Sequence, residues 1–312
     1  MSEPRLRLGF REPDVDTNMP FVDGSVKVDG FELEIVPFQG PESVDAWDAS
    51  FRGMMRTKGR GEHPYVSIPA YPNRKFRLQY IFVNEAAKIE SPKDLEDKRV
   101  WVSSTAGIWA RGALLNHYGV DFTRIRWVMP GTDGGSWGPG IEVTPMDRGV
   151  DFDAMLVAGE LDAVIDPNVP PSVVRRDPRV RRLFRDWKSE EQGYYKATGI
   201  FPISHMATLN QAYVAKYPEA PVALLEAYRR ARDVAFDRIE GSDPSILTIS
   251  WASHLMAEQR ALMGENYWSY NVEDNRRSLE AMMLYAHQLG VTPTKLDFMS
   301  FFHPAAAALA GA

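Results

Sequence analysis

The stretch Arg99-Val100-Trp101-Val102-Ser103-Ser104-Thr105-Ala106-Gly107-Ile108-Trp109-Ala110-Arg111-Gly112-Ala113-Leu114-Leu115-Asn116-His117-Tyr118-Gly119 decides the fold class. Arg99 to Val102 reads as a short strand. Ser103-Ser104-Thr105 then supplies N-capping hydroxyls for a helix running to about Tyr118, and Gly119 is a left-handed stop. The same grammar continues on both sides. Upstream, Ser91-Pro92-Lys93-Asp94-Leu95 places a capping serine before a proline at the first helical position. Downstream, Ile125 to Met129 reads as a strand. Asp151 caps a short helix with Phe152, Met155 and Leu156 on one face, and the strand Ala163-Val164-Ile165 follows. A strand–helix–strand rhythm of this kind predicts an α/β sheet with parallel strands.

Toward the N-terminus, Leu6 to Phe10 is a first strand, and the alternation of Phe31-Glu32-Leu33-Glu34-Ile35-Val36 gives a second, half-buried one. Arg11 to Gly24 between them is a polar loop with at most one helical turn. Phe76 to Val83 is a further strand. The final third is helical. Leu224, Tyr228, Ala231 and Ala235 form one core-facing stripe, with Arg229, Arg230, Arg232 and Asp233 off it, and Leu279, Met282, Met283, Ala286 and Leu289 form another. Arg175 to Arg185 holds six arginines in eleven residues and reads as a surface helix or an oligomer contact.

The chain has 312 residues, enough for two domains or two lobes. Its net charge of −6 argues against nucleic acid as a partner. It holds no cysteine, which removes disulfides, thiol nucleophiles and cysteine metal sites. No segment reaches the ~18 apolar residues of a membrane span, and Met1 to Phe10 lacks the apolar core of a signal peptide. The expectation is a cytoplasmic protein with no membrane partner.

Two runs stand out chemically. Arg60 to Arg77 sets three arginines, one lysine, one histidine and two tyrosines around three prolines. Proline fixes φ and removes donors, so much of this run is a stiff, extended loop. Guanidinium forks and an imidazole on such a loop suit anion binding and proton transfer. Tyr194-Tyr195-Lys196-Ala197-Thr198-Gly199-Ile200-Phe201-Pro202-Ile203-Ser204-His205 suggests a crossing between lobes that delivers a histidine. Of the six histidines, His117, His254 and His287 fall in predicted helices and His303 lies near the tail, which leaves His63 and His205. They form no metal motif. The helix opening at Ser103, Ser104 and Thr105 is an anion site in principle. Trp109 and Arg111 point to different faces of that helix, so at most one reaches deep into a cleft. Gly131 to Gly140 lacks Gly-Lys-Ser/Thr and is not a phosphate loop.

Several strings recur together in one family: Arg60-Gly61-Glu62; Ile68-Pro69 with Arg74 and Phe76-Arg77; Trp109-Ala110-Arg111-Gly112; Ala158 to Ala163; Tyr195 with Thr198 to Ile203 and His205; Met263-Gly264-Glu265 with Trp268; and Asn275-Arg276. From about Leu6 to Phe302 the chain resembles the 4,5-dihydroxyphthalate decarboxylase family. The resemblance implies an α/β, two-lobed type II periplasmic-binding-protein-like fold with a cleft between lobes and two crossovers. Residues 1–82 plus 205–312 would form lobe one and 83–204 lobe two. The sequence departs from the family pattern at Arg11 to Asp16, at Asp45 to Ser50, at Leu78 in place of a usual histidine, and in a shorter Ser103 to Ile108 loop.

The resemblance implies a carboxy-lyase acting without an organic cofactor on a hydroxylated, phthalate-like aromatic acid; a divalent metal stays open. Decarboxylating an electron-rich ring requires fixed carboxylates, one delivered proton and exclusion of water. Arg74, Arg77 and Arg111, with Arg60, are expected to hold carboxylates. His63 or His205 donates the proton. Ser104 and Thr105 line the anion site, Tyr195 and Glu142 meet ring hydroxyls, and Trp109 and Trp268 wall the ring. The partner is a small aromatic carboxylate, and a homo-oligomer is left open. The competing reading is a non-catalytic solute-binding protein for a small carboxylate, of the kind that serves ABC transporters.

Overall fold

The computed structural model describes residues 3–62, 64–131, 140–241 and 247–309. In chain order the strands and helices are β1 (Arg5–Phe10), α1 (Met19–Val22), β2 (Glu32–Pro37), β3 (Ala46–Ser50), α2 (Phe51–Gly59), β4 (Tyr65–Ser67), β5 (Ile81–Asn84), β6 (Arg99–Val102), α3 (Ser104–Asn116), β7 (Arg126–Pro130), β8 (Val143–Met146), α4 (Phe152–Ala158), β9 (Ala163–Ile165), α5 (Pro171–Val174), β10 (Val180–Arg182), α6 (Trp187–Thr198), β11 (His205–Asn210), α7 (Gln211–Lys216), α8 (Ala220–Glu240), α9 (Ala252–Met263), α10 (Arg276–Gln288) and α11 (Pro304–Ala307). The chain is α/β and forms two units. Unit 1 comprises Met1–Arg74, Ile203–Arg277 and Asp297–Ala312; unit 2 comprises Lys75–Pro202 and Ser278–Leu296. The two expected crossings are the breaks at 74/75 and 202/203, and Ser278–Leu296 joins unit 2 as a further segment. The sequence places the corresponding boundaries at 82/83 and 204/205 and assigns that last segment to lobe one. No described helix is long and apolar enough to cross a membrane.

Each unit has one sheet. Unit 1 runs β2-β1-β3-β11-β4 and unit 2 runs β8-β7-β6-β9-β5-β10. Leaving out the edge strand β8, the two orders are equivalent. Counting only the parallel strands β1, β2, β3 and β6, β7, β9, the first of each set lies between the second and the third, and the third pairs with the antiparallel strand, β11 or β5. Both antiparallel strands follow directly on a crossing.

The core of unit 2 follows from register. Phe82 pairs with Val164, Val164 with Trp101, and Trp101 with Val128, so one row of apolar side chains crosses four strands on one face. Tyr80, Leu156, Leu161 and Val180 close over that row. In unit 1, Leu6, Leu8 and Phe10 alternate onto a single face of β1, and Phe21 packs on Phe10 and on Tyr228 of α8.

Several local expectations need correction. Phe76–Val83 is not one strand: a 3₁₀ turn, Leu78–Tyr80, precedes β5. The arginine-rich run is not a helix. It holds the edge strand β10, and its arginines pair within the chain, Arg179 with Asp177, Arg181 with Glu85 and Glu90, and Arg185 with Glu85. Arg229 and Arg232, off the apolar stripe of α8, are nonetheless buried.

Candidate active-site groups

The side chains with chemical potential divide between the units. In unit 1, β11 opens at His205, which lies opposite Ser50 of β3, while Asp48 lies opposite Ala207. With a side-chain period of two, His205 and Asp48 therefore share a sheet face as diagonal neighbours. Their side chains meet: His205 Nδ1 lies 2.9 Å from Asp48 Oδ2. The second carboxylate oxygen, Oδ1, accepts the Arg11 backbone N–H at 2.5 Å. The Asp48 side chain is 1% exposed and that of His205 11%. The pair is thus fixed from beneath and reachable at the ring.

Arg74 lies on neighbouring backbone. It bridges Ile203, and the Asn73 carbonyl accepts the N–H groups of Ser204 and His205. Its buried guanidinium donates to Asn275 Oδ1 at 2.6 Å and lies over the Tyr71 ring. Asn275 is itself fixed: its amide donates to Ser269 O, Ser269 Oγ and Asn271 O. That loop is pinned in turn by Arg229, which donates to Tyr270 O. Trp268, half-buried, donates from its indole to the Tyr270 hydroxyl at 3.3 Å. Arg60 is exposed at the end of α2, and His63 lies outside the described residues.

In unit 2, Ser103 caps α3 with its backbone, but its hydroxyl donates to Asp166 Oδ2 at 2.5 Å. Asp166 follows β9 directly and also accepts from Asn168. The helix opening expected to hold an anion therefore sits beside a buried carboxylate. Thr105 is buried in the first turn, and Ser104 occupies the first position of α3. Trp109 is 1% and Arg111 4% exposed. Both are buried because nearly all of α3, from Thr105 to Leu114, is enclosed within unit 2. Trp109 packs edge-on against Tyr285, and Arg111 donates from Nε to the Gly107 carbonyl and lies over Trp127. The glycine after Arg111 has a steric reason: a Cβ at Gly112 would stand 2.0 Å from Tyr285 Cδ2.

Arg77 is buried and lies over the Tyr80 ring. Close by, Glu191 of α6 accepts the Gln79 N–H and the Gln79 side-chain amide. Burial pushes the Glu191 carboxyl up to about 7, against the opposing pull of those hydrogen bonds and of Arg77. Tyr195 is half-buried and edge-on to Phe76; Glu142 is exposed. Among the described residues no group of three histidine, aspartate or glutamate side chains could hold a metal ion.

Sequence reasoning missed Asp48, Asn275 and Glu191. The signal for Asp48 was present, an aspartate inside the otherwise apolar alternation Ala46-Trp47-Asp48-Ala49, but only the register with β11 gives it a partner.

No family model matches the chain. The 4,5-dihydroxyphthalate decarboxylase of Comamonas testosteroni is 27% identical over 322 residues, covering 96% of this chain and 97% of the relative. The 4,5-dihydroxyphthalate decarboxylase of Pseudomonas putida is 31% identical over 199 residues, covering 57% of this chain and 77% of the relative. The chain belongs to the 4,5-dihydroxyphthalate decarboxylase family. Among solved structures, the periplasmic aliphatic sulphonate binding protein SsuA from Escherichia coli aligns over 97% of this chain and 92% of its own, with a TM-score of 0.58 and 14% identity. This member of the decarboxylase family therefore has the fold of that binding protein.

Proposed function

We propose that this protein is a carboxy-lyase that removes a carboxylate from a hydroxylated, phthalate-like aromatic acid. The observation that carries the reading is in unit 1. A histidine held by a buried carboxylate and a buried, oriented arginine lie on neighbouring backbone. Membership of the decarboxylase family supports the same reaction class. A ring hydroxyl ortho or para to the reacting carbon raises its electron density. The His205 proton then forms the new C–H bond at that carbon. The C–C bond to the carboxylate breaks, its electron pair restores aromaticity, CO₂ leaves, and solvent reprotonates the imidazole. Arg74 holds a carboxylate as a fork, and Trp268 of the same unit is the candidate for contact with the ring.

The test is CO₂ release from a panel of hydroxylated phthalates and related aromatic acids, across pH and with and without added divalent metal. Turnover that disappears in His205→Asn is the expected result; silence across the panel overturns the reading. The fold shared with a solute-binding protein favours one second reading, binding without turnover. In that case a ligand of the panel binds, no CO₂ appears, and His205→Asn leaves affinity within about threefold, because a binder needs no proton donor.

A further inference from the structure

The structure assigns Asp48 as the residue that positions the proton donor: it holds the Nδ1 edge of His205 and so makes Nε2 the nitrogen that delivers the proton. This inference rests on the decarboxylase reading above and adds a residue to it. The acid form of imidazole carries a proton on both nitrogens, and only one can be delivered to carbon. In this chain the Nδ1 side is occupied, since Asp48 Oδ2 stands 2.9 Å away. Asp48 has little freedom to move. It is 1% exposed, its backbone lies inside β3 between β1 and β11, and its other oxygen accepts the Arg11 N–H. After Nε2 gives up its proton, the neutral ring keeps Nδ1–H on the carboxylate. The histidine is then ready to take a new proton on the same nitrogen, with no ring flip or change of tautomer.

Among the described residues, three groups stand near the pair. Arg11 contributes its backbone N–H from the end of β1. Tyr228 of α8 is fully buried, and that burial, with the Asp48 charge second, raises its hydroxyl and keeps it protonated. Arg74 lies along the neighbouring backbone through Ile203. None of these takes the place of the Asp48 carboxylate at Nδ1.

The test substitutes Asp48→Asn, which keeps the shape and removes the charge. We expect kcat for CO₂ release to fall at least about tenfold, toward the ~10⁴-fold found when a catalytic histidine loses its carboxylate partner, with KM within about threefold. Imidazole ¹⁵N NMR gives a readout independent of turnover, with the His205 signals assigned by their loss in His205→Asn. In the native chain the neutral His205 ring should carry its proton on Nδ1. A neutral ring protonated on Nε2 in the native chain overturns the inference, whether or not the Asp48→Asn variant folds. So does an Asp48→Asn variant that folds and keeps the native kcat. A native chain that releases no CO₂ refutes the decarboxylase reading instead, a different result from either.

Discussion

The two sheets repeat one strand order but differ at the point where that order reverses. In α/β sheets of this kind, the ends of the central parallel strands at such a switch are where ligands bind. In unit 1 the switch lies between β1 and β3, and in unit 2 between β6 and β9. Each carries a buried aspartate, Asp48 within β3 and Asp166 just after β9. In each, that aspartate bonds to the residue directly following the neighbouring parallel strand, Arg11 after β1 in one and Ser103 after β6 in the other. The spare oxygen of Asp48 faces a histidine, whereas Asp166 turns its own back onto Asn168. Equal topology thus yields a histidine–carboxylate pair in one unit, the pair proposed above to handle a proton, and an aspartate closed onto its own loop in the other. The antiparallel strand makes the difference: β11 begins with His205, while β5 presents Ile81, Phe82 and Val83 to its neighbour.

Substitutions can break or sharpen this contrast. The largest effect should come from His205→Asn, which is expected to lower CO₂ release by about 10²–10⁴-fold, the range for loss of a general acid, with little change in thermal stability. A loss below about threefold would remove the functional difference between the two switch points. In unit 2 the largest effect should be on stability. Gly112→Ala drives a methyl into Tyr285 and should cost about 1–3 kcal/mol, read by denaturant melts. An unchanged midpoint would show that Tyr285 can move aside freely.

Next comes a pH effect confined to unit 2. The Glu191 carboxyl is raised from 4.5 to about 7 in the folded chain. The folded state therefore holds this proton more tightly than the unfolded state. The associated stability is complete below about pH 4.5 and is lost as pH rises through about 7. Glu191→Gln should flatten the stability profile between those values by about 3 kcal/mol. A variant with the native slope would place the titration elsewhere. The smallest effect is expected of Asp166→Asn, with kcat within about threefold and a stability loss of about 1 kcal/mol from the weakened Ser103 bond. A large fall in kcat there would mean that the second switch point also handles substrate.

Unit 2 was the more legible half. Its strands β6, β7 and β9 are short apolar runs between cap and stop residues, so local chemistry fixes them: Ser103 and Asp151 begin helices, and Gly119 ends one with φ +64°. Unit 1 hides its strands. β3 contains Trp47 and Asp48, β4 has three residues, and neither shows a clean alternation. The family strings were visible, including the glycine of Trp109-Ala110-Arg111-Gly112, but not its cause, because Tyr285 is far away in sequence. The burial of Arg229 and Arg232 was hidden for the same reason. Their acceptors are carbonyls of the loop carrying Trp268 and Tyr270.

By itself the sequence determined the α/β class, the starts of helices such as α3 and α4, and the family. These depend on residues within a turn or two of one another. The tertiary structure alone decided that His205 has a carboxylate partner and that Arg74 has a fixed amide to donate to. Those partners stand 157 and 201 positions away along the chain. Strand register and a pinned loop bring them together, and neither is encoded by any local pattern.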